Sequence, residues 1–362
     1  MNLSGIIHGW YEKNFRELPM RSTRDPYRTW VAEVILQQTR MDQGLPYLKN
    51  FLHSFPDVRA LASAREDEVL RVWQGLGYYS RARNMHASAR YILDQLGGEM
   101  PGSYLELLKL KGVGKYTAAA LASWCYGEPV AAVDGNVARV IARLFGITEA
   151  VNSPAGEKNV QKLAEELLDR NDPGRHNQAM IEFGALQCVP KSPPCQLCPL
   201  SAAGGCEARL QDRVDQIPVK LKNKKPSDRW FYYYVIRSGR ETVLVQRSGK
   251  DIWEGLYEPP MIESEGPRSE EEIVEQMLPL ILRESEAAYG LGPGTGRRLI
   301  GELSAPLRHQ LSHQTIHARF LQVELDHLPH PLPERWRPVA LEELERFAMP
   351  RLIHRYLDSS NF

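Results

Sequence analysis

Leu107-Leu108-Lys109-Leu110-Lys111-Gly112-Val113-Gly114-Lys115-Tyr116-Thr117-Ala118 reads as two helices meeting at a Gly-Val-Gly turn. The glycines permit positive φ and a close backbone approach. The second helix then presents its unbonded N–H groups outward, which suits a phosphate oxygen. A lone Gly-x-Gly is ordinarily just a turn. Flanked by helices and by Lys109, Lys111 and Lys115, this one favours a clamp on a DNA backbone.

Working outward, residues 1–208 read as helix after helix. Asp25 and Pro26 supply an N-cap and a first helical position. Trp30, Val31, Val34 and Ile35 then recur at helical spacing and give one apolar face. The segments 63–73, 85–96, 104–110, 117–126, 137–144 and 157–168 predict further helices, and strand signals are nearly absent. Lys220, Lys222, Lys224 and Lys225 lead into Pro226 and predict an exposed basic linker over 209–228. From Trp230 the texture changes. Trp-Phe-Tyr-Tyr-Tyr-Val-Ile-Arg, then Ser-Gly-Arg, then Glu-Thr-Val-Leu-Val-Gln-Arg reads as two strands around a tight turn. A helix over 270–282 and a strand over 317–325 follow. The expectation is a multidomain protein: an all-α domain over 1–208, the linker, and an α/β domain over 229–362, with no internal repeat.

Composition excludes little. The 362 residues are 43% hydrophobic and 25% charged, which is ordinary for a soluble globular chain. No apolar run approaches the roughly 20 residues of a membrane span. The opening Met-Asn-Leu-Ser-Gly-Ile-Ile-His-Gly-Trp lacks the marks of a secretory signal. A reducing cytosol is therefore expected. Formal net charge is zero, so binding to a polyanion has to come from local basic patches.

Four of the five cysteines, Cys188, Cys195, Cys198 and Cys206, follow one another as C-x6-C-x2-C-x7-C. Disulfides do not suit the cytosol. Four thiolates with a C-x2-C knuckle suit tetrahedral zinc, and they suit a [4Fe–4S] cluster wrapped by one loop equally well. Spacing leaves the two metals open. Cys125, alone in an apolar stretch, reads as a packed core thiol.

Two carboxylates stand out. Asp134, in Val133-Asp134-Gly135-Asn136-Val137, is an N-cap by position, and the cap bonds and helix dipole favour its ionised form. An ionised carboxylate is what a developing sugar cation needs beside it. Glu33 sits in Trp30-Val31-Ala32-Glu33-Val34-Ile35-Leu36-Gln37-Gln38-Thr39. A helical Glu ordinarily faces solvent, but apolar neighbours on both sides would half-bury this one and turn it toward a general acid. One carboxyl kept protonated and one ionised is the division of labour in glycosidic cleavage. On these residues alone, the catalytic and the bland readings both stand.

Gly112-Val113-Gly114 with Asp134 downstream and four cysteines beyond resembles the helix-hairpin-helix DNA glycosylases related to endonuclease III. Within that group the chain is similar to the MutY-type adenine DNA glycosylases over nearly its whole length. The strings that carry this are the helix around Glu33, Trp73-Gln74-Gly75-Leu76-Gly77-Tyr78-Tyr79, the Asp134 motif, and Glu182-Phe183-Gly184-Ala185. The resemblance implies one [4Fe–4S] cluster on the four cysteines. It also implies double-stranded DNA as partner, a monomer at work on the nucleoid of a prokaryotic cytoplasm, and base excision repair of adenine opposite 8-oxoguanine or guanine. By the same resemblance Glu33 protonates adenine N7, Asp134 stabilises the oxocarbenium-like sugar, and Tyr116 and Asn136 orient the pair. Bifunctional relatives carry a lysine where Tyr116 stands, so a monofunctional glycosylase is implied.

Arg21, Leu36, Gln178 and Glu182 match the family's adenine pocket, where an extruded base is read. Leu76 and Tyr78 match a wedge inserted into the base stack, although without the family they read as core. Gln38 and Thr39 match contacts to the orphaned bases. Arg81 and Arg83 suit phosphates or a solvated helix face equally. The second half resembles a Nudix-like module through Trp253-Glu254-Gly255-Leu256-Tyr257-Glu258-Pro259 and Leu311-Ser312-His313. In the family Ser312 and His313 lie in the loop that senses 8-oxoguanine. The glutamate-rich metal helix of true Nudix hydrolases is missing, and Gly290-Leu291-Gly292-Pro293-Gly294-Thr295-Gly296 lacks a phosphate loop's lysine and reads as a flexible surface loop.

Three departures are visible. The last cysteine gap is two residues longer than usual and should bulge outward at Ser201 to Gly205. Met20 replaces the usual Trp, and Leu311 replaces a frequent Phe. Two rival classes remain: a bifunctional pyrimidine glycosylase-lyase, against which Tyr116 and the second domain speak, and a non-catalytic cysteine-cluster DNA binder, against which Glu33 and Asp134 together speak.

Overall fold

In a computed structural model the residues described are 2–18, 23–37, 39–222, 225–277, 298–328 and 332–360. The chain forms two units, Met1–Ser63 with Asn84–Lys222, and Ala64–Arg83 with Asn223–Phe362.

The first unit is helical: α1 (Leu3–Asn14), α2 (Pro26–Ile35), α3 (Met41–Ser54), α4 (Val58–Ser63), most of α6 (Ser80–Leu96), α7 (Tyr104–Leu107), α8 (Lys115–Tyr126), α9 (Gly135–Phe145), α10 (Pro154–Leu167) and α11 (Pro173–Leu186), then two short helices, α12 (Pro199–Ala202) and α13 (Glu207–Leu210). Caps explain where many of them begin. Asp25 accepts from the Arg28 N–H ahead of Pro26, Ser153 from Gly156, and Asp172 from Arg175. The core is built round α9. Val137, Val140, Ile141 and Leu144 pack against Val160 and Ala164 of α10, Met180 and Phe183 of α11, Ile7 of α1, and Leu200 and Ala208 beyond the first cysteines. Two glycines set how close α11 comes. A Cβ at Gly174 would meet the Ser123 carbonyl oxygen at 2.8 Å, and one at Gly184 would meet Asn136 Cβ at 2.7 Å.

The expected helix over 63–73 is present as α5 (Glu66–Val72), with a separate short helix before it. α4 ends at Ser63, and α5 starts afresh because the Glu68 side chain accepts from the Arg65 N–H at 3.0 Å. The expected helix over 104–110 stops at Leu107, where successive turn bonds take over.

Among the described residues the second unit, which includes α5, holds one mixed sheet of eight strands in the order β3-β2-β1-β7-β5, with β4 on β1, β6 on β7 and β8 on β2. Here β1 is Ser227–Ser238, β2 Glu241–Gln246, β3 Tyr257–Glu258, β4 Met261–Ser264, β5 Arg298–Leu303, β6 Leu307–Gln310, β7 Gln314–Leu325 and β8 Trp336–Ala340. β1 and β2 form the expected hairpin, with Ser238 opposite Glu241, and β1 runs parallel to β7. Alternation sorts the β1 aromatics between the two faces. Tyr232, Tyr234 and Ile236 join Val243, Ile273 and Trp336 on one side. On the other, Tyr233 stacks on Phe320, which stacks on Tyr356 of α14 (Arg351–Ser359) with ring centroids 4.0 Å apart. The expected helix over 270–282 is a π-helical turn at Glu272–Met277. Its remainder and the glycine-rich 290–296 lie outside the described residues.

Candidate active site and cysteine centre

In the first unit a cavity of about 530 Å³ gathers Glu33 from α2 and Leu36 from its C-cap, Tyr116 from the first turn of α8, Asp134 and Asn136 from the start of α9, and Gln178 from α11. Local sequence places each of them. α2 buries Tyr27, Trp30, Val31, Val34 and Ile35, and this turns the half-buried Glu33 toward the cavity. Asp134 is the N-cap of α9. Its Oδ1 accepts from the Asn136 and Val137 N–H groups, each at 2.8 Å, and its Oδ2 accepts from Asn136 Nδ2 at 2.7 Å.

The orientation of the Asn136 amide is itself fixed. Its Oδ1 accepts from Arg139 Nη2 at 2.9 Å, so its NH2 is the end that faces Asp134. Arg139 is held in turn by the carbonyls of Gly184 and Cys188, each at 2.8 Å. The sequence gives the cap bonds as the dominant influence on Asp134, favouring its ionised form. The net direction is the opposite. Burial pushes the carboxyl above its ordinary range, against the cap bonds and the Arg139 guanidinium. An ionised group kept short of water gains more when a cation develops beside it than one already solvated.

Glu182 is fully buried but stands one layer behind the cavity wall. It accepts from Arg16 Nε at 2.6 Å and from Nη2 at 3.1 Å, and Arg16 lines the cavity. This pair raises the Arg16 pKa further. Arg16 was not legible as a site residue, because its partner lies 166 positions away. Gln37, Met41 and Ile181 also line the cavity without having been expected there. Thr39 is half-buried, bonds to the Gln37 carbonyl at 3.3 Å, and is not part of the lining. Met20, Arg21, Gln38 and Lys224 lie outside the described residues.

The hairpin joins α7 to α8. Gly112 has φ +80°, and a Cβ there would meet Asn84 Cβ at 2.7 Å. Gly114 departs from the expected positive φ. It is the extended N-cap of α8 at φ −89°, with nothing within 4 Å of an added Cβ, while Val113 is buried.

The four cysteines follow α11. Arg143, almost fully buried, donates to Cys188 Sγ at 3.5 Å and to the Val189, Pro190 and Ile217 carbonyls. Backbone N–H groups of Leu200 and Ser201 point at Cys198, and those of Ala208 and Arg209 at Cys206. Burial pushes these thiols up, and the donors work against it in favour of thiolate. The four thiols are near enough to influence one another electrostatically. Among the described residues, however, no three Cys, His, Asp or Glu side chains close round a single ion. The long gap does turn outward: Ala202, Ala203 and Gly204 are exposed.

Within the second unit a cavity of about 260 Å³ is lined by Leu76 and Tyr78, by Trp253, and by Gln310, Ser312 and His313. Two non-glycine residues in it have positive φ, Tyr78 at +47° and Trp253 at +60°, a strain that tends to collect at binding sites. Ser312 Oγ lies 3.0 Å from His313 Nδ1. Arg81 and Arg83 are both engaged: Arg81 packs over the Trp73 and Tyr78 rings, and Arg83 holds the Glu254 carboxylate at 2.6 Å.

Among the described residues no helix is long and apolar enough to cross a membrane. Residues 31–173 match the HhH-GPD superfamily of base excision DNA repair proteins, and residues 232–359 match the NUDIX domain. The adenine DNA glycosylase of Buchnera aphidicola subsp. Baizongia pistaciae is 34% identical over 253 residues, covering 69% of this chain and 71% of its own. That of Buchnera aphidicola subsp. Acyrthosiphon pisum is 27% identical over 98% of this chain and 97% of its own, and that of Homo sapiens 31% identical over 84% and 64%. Among solved structures, a thermostable thymine-DNA glycosylase aligns at TM-score 0.53 with 28% identity. It covers 57% of this chain and 95% of its own. An endonuclease III in non-covalent complex with DNA aligns at 0.50 with 25% identity, over 58% and 94%.

Proposed function

Because the chain belongs to the adenine DNA glycosylase family, we propose that Glu33 and Asp134 carry out a monofunctional excision of adenine mispaired with 8-oxoguanine, or with guanine, in duplex DNA. The observation that carries this reading is the single cavity holding Glu33, Tyr116, Asp134 and Asn136 together. Its size falls in the range of small-molecule sites, roughly 300–1,000 Å³, so an extruded adenine enters whole. Arg16, held by Glu182, and Gln178 supply polar groups to read its edge.

Glu33 gives its proton to N7. The C1′–N9 bond then breaks with its electron pair leaving on the base, and the sugar becomes cationic. Asp134, fixed through Asn136 by Arg139, faces that charge until water adds at C1′ and gives its proton to the Glu33 carboxylate, restoring the acid. Tyr116 offers no amine, so no Schiff base forms at its position and the strand is not cut. Gly112, Val113 and Gly114 present the α8 N-terminus to a phosphate, the open space round Gly114 giving the backbone oxygen room.

The four cysteines hold one [4Fe–4S] cluster. Four thiols grouped in one loop, with backbone N–H groups directed at Cys198 and Cys206, are the donor set that such a cluster takes. When bound, the cluster supplies iron–thiolate bonds that tie the loop from Cys188 to Cys206 together. The working form is a monomer on DNA in the cytoplasm, and the domains run 1–208 and 229–362, joined by the segment 209–228, of which the part up to Lys222 packs on the first unit. Gln38 and Thr39 meet the bases left without partners. Leu76 and Tyr78 are the wedge, and Ser312 with His313 reads the C8 oxygen and N7 hydrogen of 8-oxoguanine.

The test uses duplexes with adenine opposite 8-oxoguanine, guanine, thymine or cytosine. Strand breaks should appear only after alkali, fastest for 8-oxoguanine. Ser312→Ala should narrow the rate ratio between 8-oxoguanine and guanine by roughly 3- to 10-fold, one neutral hydrogen bond's worth. Breaks without alkali, or no preference among the four partners, would reject the reading.

A further inference from the structure

We infer that a lysine-lined groove beside Asp134 carries the phosphodiester backbone of the strand from which the base is taken, running from the α8 end of the hairpin, at Lys115, along α10. The inference rests on the placement of that nucleotide in the cavity of Glu33 and Asp134. The groove, about 850 Å³, lies wholly in the first unit and shares Asp134 and Gly135 with the cavity. A nucleotide whose sugar faces Asp134 has a phosphate on either side, and backbone that passes Lys115, the first residue beyond the hairpin, enters the groove. The groove begins at that point.

Its charge suits the traffic. Lys115, Lys158, Lys162 and Lys220 line it, from α8, α10 and the segment after α13. Lys158 and Lys162, four apart on α10, share one helix face. Among the described residues Lys115, Lys158 and Lys220 have no carboxylate within ion-pairing distance, and Lys162 faces only the exposed Glu166 at 3.8 Å. Three carboxylates also line the groove. Asp134 is occupied as the N-cap of α9, accepting from Asn136 and Val137, and Glu165 accepts from the Ala131 N–H and from Gln161 Nε2, each at 2.9 Å. Glu157 is left to face solvent.

Lys220 is not a swinging linker residue, as the basic run 220–225 suggests. The Val151 N–H donates to the Val219 carbonyl at 3.0 Å, the Leu221 N–H to Asn152 Oδ1 at 2.8 Å, and Asn152 Nδ2 to the Leu221 carbonyl at 3.1 Å. The turn that receives it is tight: a Cβ at Gly156 would meet the Ala150 carbonyl oxygen at 2.1 Å. A lysine whose backbone is fixed on both sides has only side-chain freedom to lose when it meets a phosphate.

The test compares the full chain with the triple variant Lys158→Gln, Lys162→Gln, Lys220→Gln, both folded by thermal melt, binding an adenine:8-oxoguanine duplex at rising salt. Each phosphate that the variant no longer neutralises should flatten the slope of log K against log salt by about 0.9, roughly a 3-fold difference in affinity between 50 and 200 mM for each such phosphate. With the duplex shortened on one particular side of the adenine, the two proteins should bind alike; shortened on the other, they should still differ. An unchanged slope, or a difference that neither shortening removes, overturns the groove assignment. Neither result touches the base cavity, which is tested separately by excision in Glu33 variants.

Discussion

Glu33→Gln is expected to slow adenine excision by roughly 100- to 10,000-fold in single turnover, the span of a general acid's contribution, while duplex binding changes little. The substitution keeps the shape of the side chain and removes the acidic proton. α2 is anchored by Trp30, Val31, Val34 and Ile35, all nearly inaccessible to water, so it will not shift to compensate. Tyr116, Asn136, Gln37 and Gln178, which also line the cavity, are far weaker acids, and Asp134 is needed as the carboxylate. Excision within tenfold of the unaltered enzyme would remove Glu33 from the chemistry.

Arg139→Leu is expected to cost on the order of 3–5 kcal/mol in denaturant unfolding, together with most of the excision activity of the folded remainder. Arg139 is 8% exposed and supplies donors to the carbonyls of Cys188 and Gly184 and to Asn136 Oδ1. Leucine fills part of the volume but leaves three acceptors without donors, each costing about 1–3 kcal/mol when buried. Asn136 is then free to flip, and Asp134 loses its fixed partner. Arg139→Lys should recover part of the stability and less of the activity, since one ammonium cannot reproduce a planar fork. A loss under about 1 kcal/mol with normal activity would show that Asn136 is held by something else.

What could be read from the chain follows physical range. Caps act over three residues, so Asp25, Asp134 and the starts of α2 and α9 were visible. The alternation along β1 acts over two, so its hairpin with β2 was visible as well. α3 was hidden because Pro46 interrupts its pattern, although Leu48 and Phe51 are buried. α11 was hidden because Gly174 and Gly184, chosen for close approach, dilute its apolar face. Glu33 and Asp134 could be named singly, yet nothing in their spacing told that one cavity would hold both. The Arg16–Glu182 pair and the Arg139 link to the Cys188 carbonyl exist only in the fold. Nor could the sequence weigh the burial of Asp134 against its cap bonds.

That balance gives the most direct test of the central claim, that an ionised Asp134 in a sparingly hydrated cavity faces the sugar as the bond to adenine breaks. Burial raises the Asp134 pKa, so the folded enzyme holds this proton more tightly than the unfolded chain. The carboxylate is lost as pH falls through the raised value. The single-turnover rate against pH should therefore show an acid limb above the ordinary aspartate value of about 4, and the residual excision of Asp134→Asn should lack it. An acid limb at the ordinary carboxylate value, or one that survives unchanged in Asp134→Asn, would contradict the account.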